Sequence, residues 1–148
     1  MSERTLASRI QRGIKRNNDQ VNKKKIEMIS ASEILSKVND GVFLEIIFKK
    51  NTDWDTQLDS RYSFEFDSAW SVSYEKVTSS CPPEDSTLKE IRETTFKNVY
   101  LMSKNSDLAG YVSDDMGLIA QAFENKIDID FINKLWKIYT QGEFPIQI

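Results

Sequence analysis

Between residues 61 and 75 the large apolar side chains fall on even positions alone: Tyr62, Phe64, Phe66, Trp70, Val72 and Tyr74. Arg61, Ser63, Glu65, Asp67, Ala69, Ser71, Ser73 and Glu75 lie between them. Side chains of an extended strand point alternately to its two faces, so a period of two reads as sheet with one buried and one wetted face. A hairpin closed by Asp67-Ser68-Ala69 pairs Phe66 with Trp70, Phe64 with Val72 and Tyr62 with Tyr74, keeping every apolar group on one side. That loop lacks the glycine such a hairpin favours, and one long bent strand is the alternative. In both versions Phe64, Phe66, Trp70 and Val72 share the core.

The flanking segments are read around this sheet. Ser30-Ala31-Ser32-Glu33 has the spacing of a capping box ahead of Ile34, Leu35 and Val38, which predicts a short helix ending near Gly41. Val42 to Phe48 is apolar except for Glu45 and reads as a central strand. Pro82-Pro83 makes 78–87 a loop, Phe96 to Met102 reads as a strand, and a shorter strand is expected at Tyr111-Val112. Ser113 and Asp128 are expected to cap two final helices, the second stopping at Gly142. The fold expected is α+β: an antiparallel sheet with helices on one face, a basic N-terminal helix, and a C-terminal helical hairpin. Residues 1–29 form an arm and 30–148 a single α+β domain.

Charge divides the chain along the same boundary. Residues 1–30 hold eight Lys and Arg against three acids, whereas 31–148 hold twelve against twenty. In the first segment Leu6, Ile10 and Ile14 are spaced as on an amphipathic helix, with Arg9, Arg12, Lys15 and Arg16 on its other side and Lys23, Lys24 and Lys25 beyond. That arm is a candidate nucleic-acid or anionic-surface contact, or simply the solvated side of a docked helix.

Several chemistries are excluded by composition. With no His and the single Cys81, the chain contains neither a Ser-His-Asp nor a Cys-His nucleophile system, nor an imidazole and thiolate zinc site of its own. The five glycines are too dispersed for a phosphate-cradling loop. No cofactor is expected. No apolar stretch is long enough to span a bilayer, and a lone cysteine suits a reducing compartment, so a cytoplasmic protein without membrane contact is expected.

The remaining polar constellations are weak as catalytic or metal signals. Asp53-Trp54-Asp55-Thr56-Gln57-Leu58-Asp59 starts like a calcium loop, but Leu58 stands where the loop needs Gly and Phe64 where it needs a bidentate Glu. Glu65 and Asp67, with Glu45, project from the wet sheet face as a conceivable carboxylate pair. Asp114-Asp115 fits the positive end of a helix beginning at Ser113. These acids are better read as a binding surface, with Trp54 as an aromatic anchor: Asp53, Trp54, Asp55, Asp59, Glu65 and Asp67. The function expected is therefore non-catalytic: an acidic inhibitor or immunity-type protein that blocks a basic protein partner, such as a nuclease toxin, by electrostatic complementarity. The alternative is a nucleic-acid-associated or phage-assembly accessory that works through the basic arm.

Overall fold

A computed structural model describes residues 27–148, and every regular element among them is helical. The helices are α1 (Ala31–Asn39), α2 (Gly41–Phe48), α3 (Trp54–Ser60), α4 (Phe64–Ser80), α5 (Ser86–Ser103), α6 (Ser106–Glu124) and α7 (Asp130–Thr140). The expected sheet is absent from these residues, and the α+β assignment is replaced by an all-α one. Of the basic arm, residues 1–26, with Arg9, Arg12, Lys15, Arg16, Lys23, Lys24 and Lys25, lie outside the described residues. Met28 and Ile29, at its end, are partly buried against the core.

Each helix start carries its own chemistry. The Ser30 hydroxyl accepts from the Glu33 amide at 3.2 Å while the Glu33 carboxylate accepts from the Ser30 amide at 3.0 Å, completing the capping box ahead of α1. Asp40 then plays two parts. Its amide closes α1 on Ser36 and Lys37, and its side chain caps α2 by accepting from the Val42 amide at 3.1 Å. Ser63, Asp85 and Asn105 cap α4, α5 and α6 in the same manner. Only α7 starts without a side-chain cap: Asp128, expected to cap it, accepts instead from Asn133 Nδ2 at 2.7 Å. After α7, Gly142 takes a φ of 83°, a left-handed turn that suits glycine and redirects the chain across the core.

The strand expectations fail for identifiable reasons. Val42 to Phe48 is so uniformly apolar that its pattern distinguishes no period, and the Asp40 cap decides for helix, burying Leu44, Ile47 and Phe48. Residues 61–75 satisfy both periods in part. Phe66 and Trp70 are four apart, a spacing that is even and also one helical turn, and Ser73 and Val77 continue the helical row. Phe66, Ser73 and Val77 are buried and Trp70 half-buried, whereas Phe64 (81% exposed), Val72 (55%) and Tyr74 (50%) face outward. Phe64 and Val72 are thus not core residues. Phe96 to Met102 belongs to α5, and Tyr111-Val112 to α6. Ser113 caps nothing: it lies in mid-helix and donates to the Arg92 carbonyl at 2.9 Å.

The architecture is organised on α6. Its residues Leu108, Ala109, Val112, Met116, Ile119, Ala120, Ala122 and Phe123 are all fully buried, as expected of a helix surrounded by others. α5 lies along it with the most extensive packing, and α1, α3, α4 and α7 close around the remaining sides. The α5 approach is close because Gly117 carries no side chain: a Cβ there would stand 2.8 Å from Arg92 Cδ. α4 joins α7 through an edge-to-face contact of Phe66 with Phe131 at 5.3 Å.

Candidate functional site

The described residues put one corner of the molecule forward, where α3 ends and α4 begins. Arg61 follows α3, and its side chain turns inward to 5% exposure. Its guanidinium donates two hydrogen bonds of 2.8 Å to Asp115, a residue of α6 with no exposed surface. The same carboxylate accepts from Trp70 Nε1 at 2.9 Å and from the Tyr139 hydroxyl at 2.6 Å. Four donors on one carboxylate fill its accepting capacity, which is the condition for keeping such a charge in a core. Phe66, Tyr111 and Phe144 surround the guanidinium carbon at 4.5, 5.7 and 5.1 Å from their ring centres.

The electrostatics follow from this burial. Burial works against the charge of Arg61, but Asp115 outweighs it and holds the guanidinium more firmly protonated than a free arginine. Burial, with the Asp115 charge added, pushes the Tyr139 phenol well above its usual range. Tyr111 donates to the Tyr62 hydroxyl at 3.3 Å and is pushed up to about 12 by that hydrogen bond and by burial.

Since Arg61 anchors inward, its neighbours are held outward. Tyr62 is 57% exposed beside Tyr111, with ring centres 6.1 Å apart, and Phe64 stands at 81% in the first turn of α4. Acids singled out from the sequence lie on α3 and in the first turn of α4, the helices on either side of Tyr62. Asp55 and Asp59 are exposed on α3 one turn apart, and Glu65 and Asp67 are exposed in the first turn of α4. Asp55 accepts from Asn105 Nδ2 at 2.9 Å. Asp53 is exposed but structurally engaged: it caps α3, and two hydrogen bonds from Thr56 hold its carboxyl below the ordinary range.

Trp54 departs from its expected role as an anchor. It is 8% exposed, with Phe48 and Phe144 at 5.4 and 6.1 Å between ring centres, and so offers no indole to a partner. Glu45 sits on α2 and pairs with Lys49 at 3.4 Å, so the sheet face that would have joined it to Glu65 and Asp67 does not exist. Asp114 and Asp115 are in mid-helix, not at a helix start. Among the described residues no three acids or cysteines are placed to hold a metal ion.

Arg61, Tyr62, Tyr111, Asp115 and Tyr139 were not expected as a group. One signal for Asp115 does exist in the sequence. Leu108, Val112, Ile119 and Ala122 are seven and three residues before it and four and seven after it, so a helical reading of 106–124 puts this acid inside an apolar stripe. No comparable signal names Arg61 as its partner.

Two further concavities flank α4. One, of about 280 Å³, opens between α4 and α6 beside Tyr62; the other, of about 500 Å³, continues toward Pro82 and Pro83, and Trp70 and Asp114 border both. Among the described residues no helix is long and apolar enough to cross a membrane.

Comparison with known proteins gives one match and one blank. No curated protein matches the chain. A family model described as Immunity protein PIM1 matches residues 33–146, from the first turn of α1 to beyond the turn at Gly142. The match takes in all seven helices, the buried Arg61 and Asp115 pair and the α3–α4 corner, and the chain therefore belongs to the Immunity protein PIM1 family.

Proposed function

We propose that this immunity-family protein acts without catalysis, binding a basic protein toxin, such as a nuclease, and blocking it through the α3–α4 corner. The observation that carries the reading is the exposure of Phe64 at 81% and Tyr62 at 57%, in a stretch of chain that also exposes Asp55, Asp59, Glu65 and Asp67. A phenylalanine held in water on an ordered helix loses free energy that burial under a partner returns, and exposed aromatics ringed by polar groups are the usual anatomy of an interface hot spot. The exposed acids of α3 and of the first turn of α4 are anionic, in a stretch from residue 31 onward that has twelve Lys and Arg against twenty acids. Such a face raises the encounter rate with a cationic partner and repels acidic ones.

The test starts from affinity purification of the full chain from its host and identification of the protein retained. Association of the purified pair is then measured against ionic strength, for the wild type and for Asp55→Asn with Asp59→Asn and Glu65→Gln. A basic partner whose association slows on adding salt, and slows again in the triple variant, supports the reading. Association indifferent to both salt and the three carboxylates overturns it.

A further inference from the structure

The 280 Å³ concavity beside the corner has a composition that selects one kind of occupant. Its walls include Arg61, Tyr62, Phe66, Trp70 and Tyr111, and its carboxylates are Asp67 and Asp114. Asp114 is exposed, and desolvation raises its pKa against the pull of Arg92. Arg92 pairs with it at 3.7 Å, beyond hydrogen-bonding distance, and with Glu84 at 3.0 Å. A carboxylate beside aromatic faces, whose ion pair is long and shared with a second acid, is suited to a cation that brings both charge and donors.

In the lining itself the protein satisfies the same chemistry with its own side chain. Arg61 stacks on Phe66 and Tyr111 and forks onto Asp115, the residue next to Asp114. That pair is self-neutralising, and Arg92 is shared between Glu84 and Asp114, so the concavity keeps an excess of negative charge on Asp67 and Asp114. A guanidinium is planar, weakly hydrated and forked, so it stacks and bridges where an ammonium only points.

We propose that the concavity between Tyr62, Trp70, Tyr111 and Asp114 receives one arginine side chain of the toxin, which inserts as the central anchor of the interface. The inference rests on the α3–α4 corner being the partner-binding face, and it names the group that enters there. Trp70 and Tyr74, stacked at 5.4 Å and 16°, extend the aromatic surface along α4 for the residue that follows.

The experiment needs no toxin. Isotope-labelled full-length chain is titrated with N-acetyl-arginine amide, and in parallel with the uncharged isostere N-acetyl-citrulline amide, at constant ionic strength, while amide and indole resonances are followed. Trp54 and Trp136 are buried, so Trp70 supplies the indole reporter at the concavity and the other two serve as fold controls. Arginine amide should give saturable shifts at the Trp70 indole and at amides near residues 62–71 and 111–114, with a Kd of about 1–10 mM, ordinary for one small fragment. Citrulline amide should bind at least roughly fivefold more weakly, and Asp114→Asn should weaken arginine amide by a similar factor. Linear, unsaturating shifts, equal response to citrulline, or an Asp114→Asn variant that binds as the wild type while its Trp54 and Trp136 resonances stay in place would each overturn the proposal. Failure of this titration leaves the salt and triple-variant test of the corner standing, and failure of that test leaves the titration standing.

Discussion

The Arg61 guanidinium and the Asp115 carboxylate meet fork to fork at 2.8 Å for both hydrogen bonds, joining residues 54 apart in sequence. The pair ties the α3–α4 corner to the central helix, and so holds Tyr62 and Phe64 in their outward positions. It predicts strong non-additivity. Asp115→Leu strands a buried cation together with the Trp70 and Tyr139 donors, and should lose about 3 to 5 kcal/mol of stability; Arg61→Met, which strands the carboxylate, should lose a similar amount. The double variant should be clearly less destabilised than the sum. Urea unfolding of all four proteins measures the coupling, and simple additivity would mean that the pair is not a unit.

Phe64 and Phe66 separate stability from binding. Phe66→Ala opens a hole between α4 and α7 and should destabilise by about 3 to 5 kcal/mol. Phe64→Ala should change stability by less than about 0.5 kcal/mol, since the ring is 81% exposed. In the proposed interface the order reverses in kind: Phe64→Ala, fully folded, should weaken binding to the proposed partner by about 2 kcal/mol or more as an anchor. Calorimetric titration beside urea unfolding reads both quantities.

Stability should change little between about pH 6 and 8, because the described chain has no His and its ordinary carboxylates, Lys and Tyr titrate outside that interval. Above pH 10 it should fall. The phenol of Tyr139 is raised in the folded state, so unfolded chains lose that proton first and the folded form binds the more protons. The contribution is therefore complete below pH 10 and is lost as pH rises toward the folded value, at up to about 1.4 kcal/mol per pH unit. Tyr139→Phe should be somewhat less stable at neutral pH, for want of the hydrogen bond to Asp115, yet show a shallower alkaline decline. An unchanged alkaline slope in that variant would refute the assignment.

At the acidic end the sign is opposite. Glu33 is lowered by its hydrogen bonds with Ser30, and Asp53 by those with Thr56, so both contribute stability above their ordinary values that disappears as pH falls through the lowered ones. Asp53→Ala, which removes the α3 cap, should lower the unfolding temperature, and Asp53→Asn should lower it by only a small part of that, because an amide oxygen still accepts. Thermal unfolding of the two variants at neutral pH distinguishes cap from surface charge.

How much of this could be read from residues alone varies with the range of the interaction concerned. The capping box at Ser30 and Glu33, the stop at Gly142 and the break at Pro82-Pro83 depend on atoms a few residues apart, and each is present in the structure. Glu65 and Asp67 were legible as surface charge because they occupy the polar positions of an alternating stretch, and they are exposed on the helix as they would be on a strand. Secondary structure at 61–75 was decided elsewhere. An aromatic spacing of four suits both periods, and the choice fell to helix because α6 and α7 present a surface that the row Phe66, Trp70, Ser73 and Val77 covers, with Ser73 hidden in that row as a polar residue. Trp54 shows the same dependence in reverse: its neighbours in sequence are acids, but Phe48 of the preceding helix and Phe144 from beyond α7 cover it. The sequence by itself determined the first helix start at Ser30, the stop at Gly142, and that the body is acidic, because capping, left-handed turns and charge are local properties. Only the tertiary structure decided that Asp115 is buried on Arg61 and that Phe64 is left in water, because burial belongs to whichever surfaces meet, and those surfaces come from segments far apart in the chain.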